Sequence, residues 1–204
     1  MSQTRSPAAA TPAVAVVPPG WWALADAAWH YPDDLPQEWR LTYFANEYSG
    51  VYLPFTAWGT QPDVTLRTWR EDVQAGFGFF LGLPQDTAAA LDRPRAAQQA
   101  LGANLVGWVR WPAAGMGAGD LLEPGGPDEE PRRLGQALHC PAPLLTDLRA
   151  GARWLREQVA AASATLLVLP HPTGTQLAEW RELVRLLGLA ELSAPQTRWL
   201  GPSA

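Results

Sequence analysis

The chain has 204 residues, of which 47% are hydrophobic and 17% charged, and its formal net charge is −5. This composition is typical of one soluble globular domain and excludes wholesale disorder. The negative charge argues against duplex nucleic acid or an anionic membrane as a partner, because both are bound by neutralising many phosphates.

Cys140 is the only cysteine, so an intrachain disulfide or a cysteine zinc cluster cannot form. The first twenty residues lack a continuous apolar stretch of the signal-peptide type. No run approaches the roughly 18 apolar residues of a membrane span. These features predict a cytoplasmic protein.

Residues 1–13 are rich in Ala, Pro, Ser and Thr, which predicts a disordered tail before a single α/β domain at residues 14–204. Residues 14–17 could form a short strand, but two prolines and a glycine follow directly. We therefore interpret residues 21–29 as the first core strand. Asp26 would then lie either at a strand bend or in a functional pocket, since a buried carboxylate needs a partner.

Apolar residues recur at helical spacing in residues 39–48, which predicts a helix with one face packed on the core. Its members are Trp39, Leu41, Phe44, Ala45 and Tyr48. Residues 51–55 follow and are apolar throughout, as in a strand covered on both faces. A helix followed by such a strand is typical of a βαβ unit.

The same alternation continues along the chain. We predict helices at 63–74, with Val64, Trp69 and Val73 inward, and at about 94–101, 144–162 and 173–187. Strands are predicted at 77–83, 104–111, 136–140 and 165–169, with a possible closing strand at 197–200. Residues 112–135 are rich in Gly, Pro and acid and predict a long loop or a partly disordered insertion. Together the elements predict a mainly parallel sheet with helices outside.

The order of these motifs resembles the YecE-like family, an uncharacterised bacterial-type family with a (β/α) barrel fold. The resemblance depends on Tyr31-Pro32, the aromatic helix, the strand that leads to Trp58, and Trp69. A Gly-Phe-Gly-Phe strand at residues 76–79 completes it. It implies a TIM-barrel-like fold, shortened from the usual length of about 250 residues.

Two departures from the family pattern bear on function. Tyr52 and Pro54 stand where the family has Glu and Asn, and residues 112–135 replace a strand that carries an acidic residue, Arg and Trp. The resemblance therefore implies a diverged member that has lost polar groups from its pocket. No cofactor or metal is predicted.

Ligands of parallel α/β proteins bind beyond the carboxyl ends of the strands. His30 and His171 each follow a predicted strand and could supply a general acid and base or two metal ligands. The alternative is two loop histidines in ordinary hydrogen bonds. His139 beside Cys140 is rejected as a base for a thiol nucleophile, because neighbours in a strand point to opposite faces.

Arg110 ends a predicted strand and, with Arg40 and Arg67, could clamp a carboxylate or a phosphate. Salt bridges to nearby acids are the alternative. Trp21, Trp58 and Trp111 lie at element ends and are candidate ligand contacts, as is Asp26. Most of the eleven tryptophans are expected in the core.

Two functions remain open. The first is a non-catalytic barrel that recruits partners through its surface, its acidic Gly/Pro-rich loop or its tails. The second is an enzyme or small-molecule binder that uses His30, His171, Arg110 and the end-lying tryptophans. We favour the first, because the scaffold pattern persists while the family's polar residues are missing.

Overall fold

The computed structural model describes residues 11–84, 92–113, 117–125, 132–160 and 162–194. Within them the strands are β1 (Ala13–Val17), β2 (Gly50–Leu53), β3 (Gly78–Gly82), β4 (Leu105–Arg110), β5 (Gly119–Leu122), β6 (Arg133–His139), β7 (Ala164–Val168) and β8 (Ala190–Glu191). The helices are α1 (Ala27–His30), α2 (Arg40–Glu47), α3 (Phe55–Trp58), α4 (Asp63–Glu71), α5 (Asp92–Leu101), α6 (Leu148–Val159) and α7 (Gly174–Leu186).

The strands form one curled sheet in the order β2-β3-β4-β5-β6-β7-β1-β8. All neighbouring strands are parallel except at β5, which runs antiparallel to both β4 and β6. The predicted α/β class, with a mostly parallel sheet and helices outside it, is confirmed, and the curled sheet is consistent with an incomplete barrel.

The two faces of the sheet carry different cores because successive side chains in a strand alternate. Val14 and Val16 of β1 pack against the helices, whereas Ala15 and Val17 belong to a second cluster that contains no helical residue. We call the second side the inner face. It is filled by apolar side chains: Tyr52, Phe80, Val106, Val109, Leu121, Ala137, Leu166 and Val168.

One end of the strand order approaches the other. The backbone nitrogen of Tyr52 in β2 donates a hydrogen bond of 3.1 Å to the carbonyl of Pro18, just beyond β1. The same edge of β1 is paired with β8 through Ala13 and Val14. The edge of β1 is therefore shared between β8 at its amino end and β2 at its carboxyl end.

The first core strand lies at Ala13–Val17, so the prediction of a core strand at residues 21–29 is wrong. Four of the five residues of β1 are buried, and each pairs with a residue of β7. Residues 21–26 form turns instead, and α1 follows them. The tail predicted at residues 1–13 falls mostly outside the described residues, and Ala13 already belongs to β1.

The interval 112–135, predicted as a loop, contains β5 and the first residues of β6. Its described residues pair with neighbours that are already ordered: Val109 faces Leu121, and Asp120 faces Gln136. The Gly- and acid-rich composition hid this strand because its stability comes from cross-strand pairing and not from local propensity. The strand proposed at 197–200 lies outside the described residues.

Most predicted helices and strands are confirmed within a few residues. Helix α7 begins with a capping box formed by Thr173 and Gln176. Two inward assignments are wrong. Trp39 is 62% exposed and Val64 is 59% exposed. In α4 the fully buried residue is Leu66. No helix in the described part of the chain is long and apolar enough to cross a membrane.

Candidate functional site

The carboxyl ends of β2, β4 and β6 bring together Tyr52, Trp111 and His139. The indole nitrogen of Trp111 donates a hydrogen bond of 2.8 Å to the hydroxyl of Tyr52. The ring of His139 lies nearly parallel to the indole, with centroids 4.0 Å apart and planes at 21°. Three strands thus contribute one aromatic cluster that covers this end of the inner face.

Close packing around Tyr52 explains why the neighbouring strand ends in glycine. A Cβ placed on Gly82 would lie 2.7 Å from the Tyr52 hydroxyl oxygen and 3.3 Å from the backbone of Pro54. The side chain of Tyr52 is itself buried. Tyr52 is therefore built into the packing, with its hydroxyl occupied by Trp111.

Burial governs the protonation of this cluster. It raises the pKa of Tyr52 above the usual phenol value, and the hydrogen bond from Trp111 opposes this only in part. Partial desolvation lowers the pKa of His139, although part of its surface is exposed. Both side chains are therefore neutral at neutral pH, and the cluster carries no charge with which to orient a polar substrate.

His30 lies in a different environment, among the rings of Tyr31, Tyr43 and Tyr48. Its side chain is only 9% exposed, and its Nε2 is 3.8 Å from a carboxylate oxygen of Glu47. Burial raises the pKa of Tyr48 to about 12, so its hydroxyl stays protonated and can donate to the carbonyl of Gly174. His30 is thus a packed residue beneath the start of α7.

Of the remaining polar candidates, only Asp26 shares a contact with His30 in the described residues, because both lie against Gly174. Asp26 accepts hydrogen bonds from the backbone nitrogen of Gly174 and so caps α7. His171 is exposed, with a φ of 45° that is uncommon for a residue other than glycine. Within the described residues, no hydrogen bond or ring contact joins His171 to His30. Arg110 is exposed at the end of β4.

Trp58 and Trp111 have different roles. Trp58 is fully buried against the helices, and its indole nitrogen donates 3.0 Å to the carbonyl of Gly82. The guanidinium of Arg93 lies 5.6 Å from its ring centroid. Trp58 is therefore a core residue, whereas Trp111 lies half-buried at the sheet end.

Reasoning from the sequence missed a surface feature. Trp29 is 90% exposed and Trp39 is 62% exposed, although both were assigned to the core. Asp33, Asp34 and Glu38 lie between them and are exposed as well. We call residues 29–39 the acidic-aromatic segment. Its signal in the sequence is the alternation of acids and prolines, which leaves no apolar periodicity for a buried element.

The described residues contain no cluster of metal ligands, and one groove among them lies away from the carboxyl-end cluster. Over the ranges that the structure describes, no group of three or more His, Cys, Asp or Glu side chains is placed to hold a metal ion. A groove of about 160 Å³ lies on the outer side of the sheet, between β1, α7 and β8, with Arg181 paired to Glu191 at its rim. The groove contacts the helix-facing side of β1, whereas the carboxyl-end cluster lies at the end of the inner face, so the two are separate.

Comparisons with family models, curated proteins and solved structures return no match for this chain. Its function is therefore inferred from the contacts of its own residues.

Proposed function

We propose that this protein is a catalytically degenerate barrel of the TIM type, a shortened and diverged YecE-like protein, that acts in the cytoplasm as a binding module for a protein partner. The observation that carries the proposal is the hydrogen bond between Trp111 and Tyr52. It occupies the end of the sheet where the active sites of parallel barrels lie.

An enzyme of this architecture needs a concave space lined by a few convergent polar groups. Here the inner face is filled by Tyr52, Phe80 and their apolar neighbours. A general acid or base must also have a pKa near the working pH and reach the reacting atom. Tyr52 has a raised pKa, and no described carboxylate forms a hydrogen bond with His139. These features favour binding over catalysis.

The competing function is a small-molecule enzyme that uses His30, His171 and Arg110. Its residues differ sharply in environment, since His30 is packed among tyrosines while His171 and Arg110 are exposed. Two exposed side chains and one buried imidazole do not form the shared water-excluded site that such chemistry requires.

A thermal-shift screen against small metabolites tests the proposal. A ligand at about 100 times its Kd adds about 2.7 kcal/mol to stability, which raises the Tm of a chain of this size by roughly 5–11 °C. We expect no library member to produce such a shift. A reproducible shift that Trp111→Ala, His139→Ala or His171→Ala abolishes, while Asp33→Ala retains it, would overturn the non-catalytic assignment.

A further inference from the structure

Building on the proposed function, we infer that the acidic-aromatic segment is a docking surface for a basic, Arg- or Lys-bearing segment of a partner protein. Trp29 and Trp39 mark the two ends of this segment, and both are mostly exposed. Leaving such large apolar side chains in water forgoes the stabilisation that burial would give. Tryptophan is also the residue type most enriched among the energetic centres of interfaces.

The segment is held in one conformation by its own contacts. Tyr31 is buried, and its hydroxyl donates to the carbonyl of Trp21. Backbone hydrogen bonds of 3.0 Å close two turns, from Leu35 to Pro32 and from Trp39 to Pro36. A surface that is already ordered loses little entropy on binding, which favours affinity.

The negative charge of the segment indicates which kind of partner segment it can bind. Asp33, Asp34 and Glu38 are exposed, and the stretch from Asp26 to Trp39 contains no Arg or Lys. Arg40 follows, but its guanidinium lies over the ring of Tyr31, 5.2 Å from the centroid. The exposed charged side chains between the two tryptophans in the sequence are therefore all acidic.

A basic partner segment satisfies both features at once. Guanidinium and ammonium groups bind the faces of tryptophan rings through cation–π attraction, and they form charge-assisted hydrogen bonds with carboxylates. A purely apolar partner would instead bury three carboxylates without compensation, which is costly. An anionic membrane or nucleic acid would be repelled.

The test measures the binding of labelled short peptides to the full chain by fluorescence anisotropy at low salt. One peptide alternates Arg with Ser, one alternates Lys with Ser, and one alternates Glu with Ser. We expect the basic peptides to bind and the acidic one not to bind. Trp29→Ala combined with Trp39→Ala should weaken binding about tenfold. Asp33→Asn, Asp34→Asn and Glu38→Gln together should weaken it by a similar factor and flatten its salt dependence.

Matched controls separate docking from general charge attraction. Glu71→Gln, Glu157→Gln and Glu179→Gln remove the same number of exposed acids elsewhere, and Val64→Ala with Leu186→Ala shortens exposed apolar side chains elsewhere. Both should leave binding within about twofold, as expected of surface changes outside a site. Equal losses in the controls, or no preference for basic peptides, would overturn the inference.

A second copy of this Arg-containing chain is the alternative occupant, and sedimentation velocity tests for it by measuring dimerisation. Dimerisation abolished by the paired tryptophan substitutions would overturn the assignment to a different protein. Neither that result nor a failure of peptide binding would refute the binding-module proposal. Only the small-molecule screen at the Trp111 cluster does so, so the two failures are distinguishable.

Discussion

The carboxylate of Asp26 accepts hydrogen bonds of 3.0 and 3.1 Å from the backbone nitrogen of Gly174, across 148 positions of sequence. The first backbone N–H groups of a helix lack partners within the helix, and they favour a negative charge nearby. Asp26 supplies both the acceptor and the charge. It therefore attaches the connection after β1 to the helix that follows β7.

Replacing Asp26 by Ala should lower the free energy of unfolding by about 1–2 kcal/mol, the usual cost of losing a helix cap. Asp26→Asn should cost less because its amide oxygen can still accept. Urea denaturation measures both, and Asp33→Ala, at an exposed position, should change stability by less than about 0.5 kcal/mol. An unchanged midpoint for Asp26→Ala would show that the contact contributes nothing.

The Trp111–Tyr52 hydrogen bond should be visible as a coupling energy. Tyr52→Phe leaves the indole N–H of Trp111 without its acceptor, and Trp111→Phe leaves the buried hydroxyl unpaired. A double-mutant cycle on unfolding free energies should give a coupling of about 0.5–1.5 kcal/mol. Strictly additive losses would mean that the two side chains do not interact in solution.

The thiol of Cys140 should be unreactive in the folded protein. Burial raises its pKa to about 12, and the thiolate is the reactive form. Iodoacetamide at pH 8 should therefore label the native chain far more slowly than the urea-unfolded chain. Labelling at equal rates would contradict the buried environment of this residue.

His139 should make the fold less stable in mild acid. Desolvation lowers its pKa in the folded state below the ordinary value of 6.5. As the pH falls through 6.5 the unfolded chain takes up a proton that the folded chain does not, so stability falls until the pH reaches the folded-state pKa. Below that pH the loss is complete and constant.

The comparison of wild type with His139→Gln between pH 8 and pH 5 isolates this residue, because other titrating groups contribute to both proteins. The variant should lose less stability on acidification. A larger loss in the variant would reverse the sign and show that protonated His139 stabilises the fold.

Gly135 should not tolerate a side chain. A Cβ at this position would lie 2.0 Å from the backbone oxygen of Ala164 in the paired strand β7. Gly135→Ala should cost about 3 kcal/mol or prevent folding, since backbone atoms cannot move aside cheaply. Gly188→Asn is the control: nothing lies within 4 Å of its Cβ, and asparagine accepts a φ of +71°. Thermal unfolding of both variants decides the comparison.

Elements whose stability is encoded locally were predictable from the sequence. Helix α7 carries its own capping box, β2 is apolar throughout, and every residue of β7 except Thr165 is apolar. Strand β5 was missed because its pairing partners, and not its composition, make it a strand. The first strand was misplaced because Pro18, Pro19 and Gly20 directly follow the short β1, which favoured the longer tryptophan-rich stretch at residues 21–29.

The candidate site could be predicted only in part. The position of Trp111 at a strand end follows from the pattern, but its contact with Tyr52 depends on the curl of the sheet. Strand β3 also lies between the strands of these two residues, and its pairing with β4 shifts register between Phe79 and Phe80. The exposure of Trp29 is likewise a tertiary property, since the same residue type fills the core at Trp58.

The pairing of β1 with β7 has a consequence for how the chain reaches its fold. Ala13 pairs with Ala164, so the two partners are 164 minus 13, or 151, positions apart. Contacts between residues so far apart in the sequence form slowly, because the chain must lose the entropy of closing a long loop before the contacts stabilise the fold. During synthesis, β1 must wait for most of the chain to be made before its main partner exists. The Val-rich strand stays a target for chaperones, or for mispairing, until then.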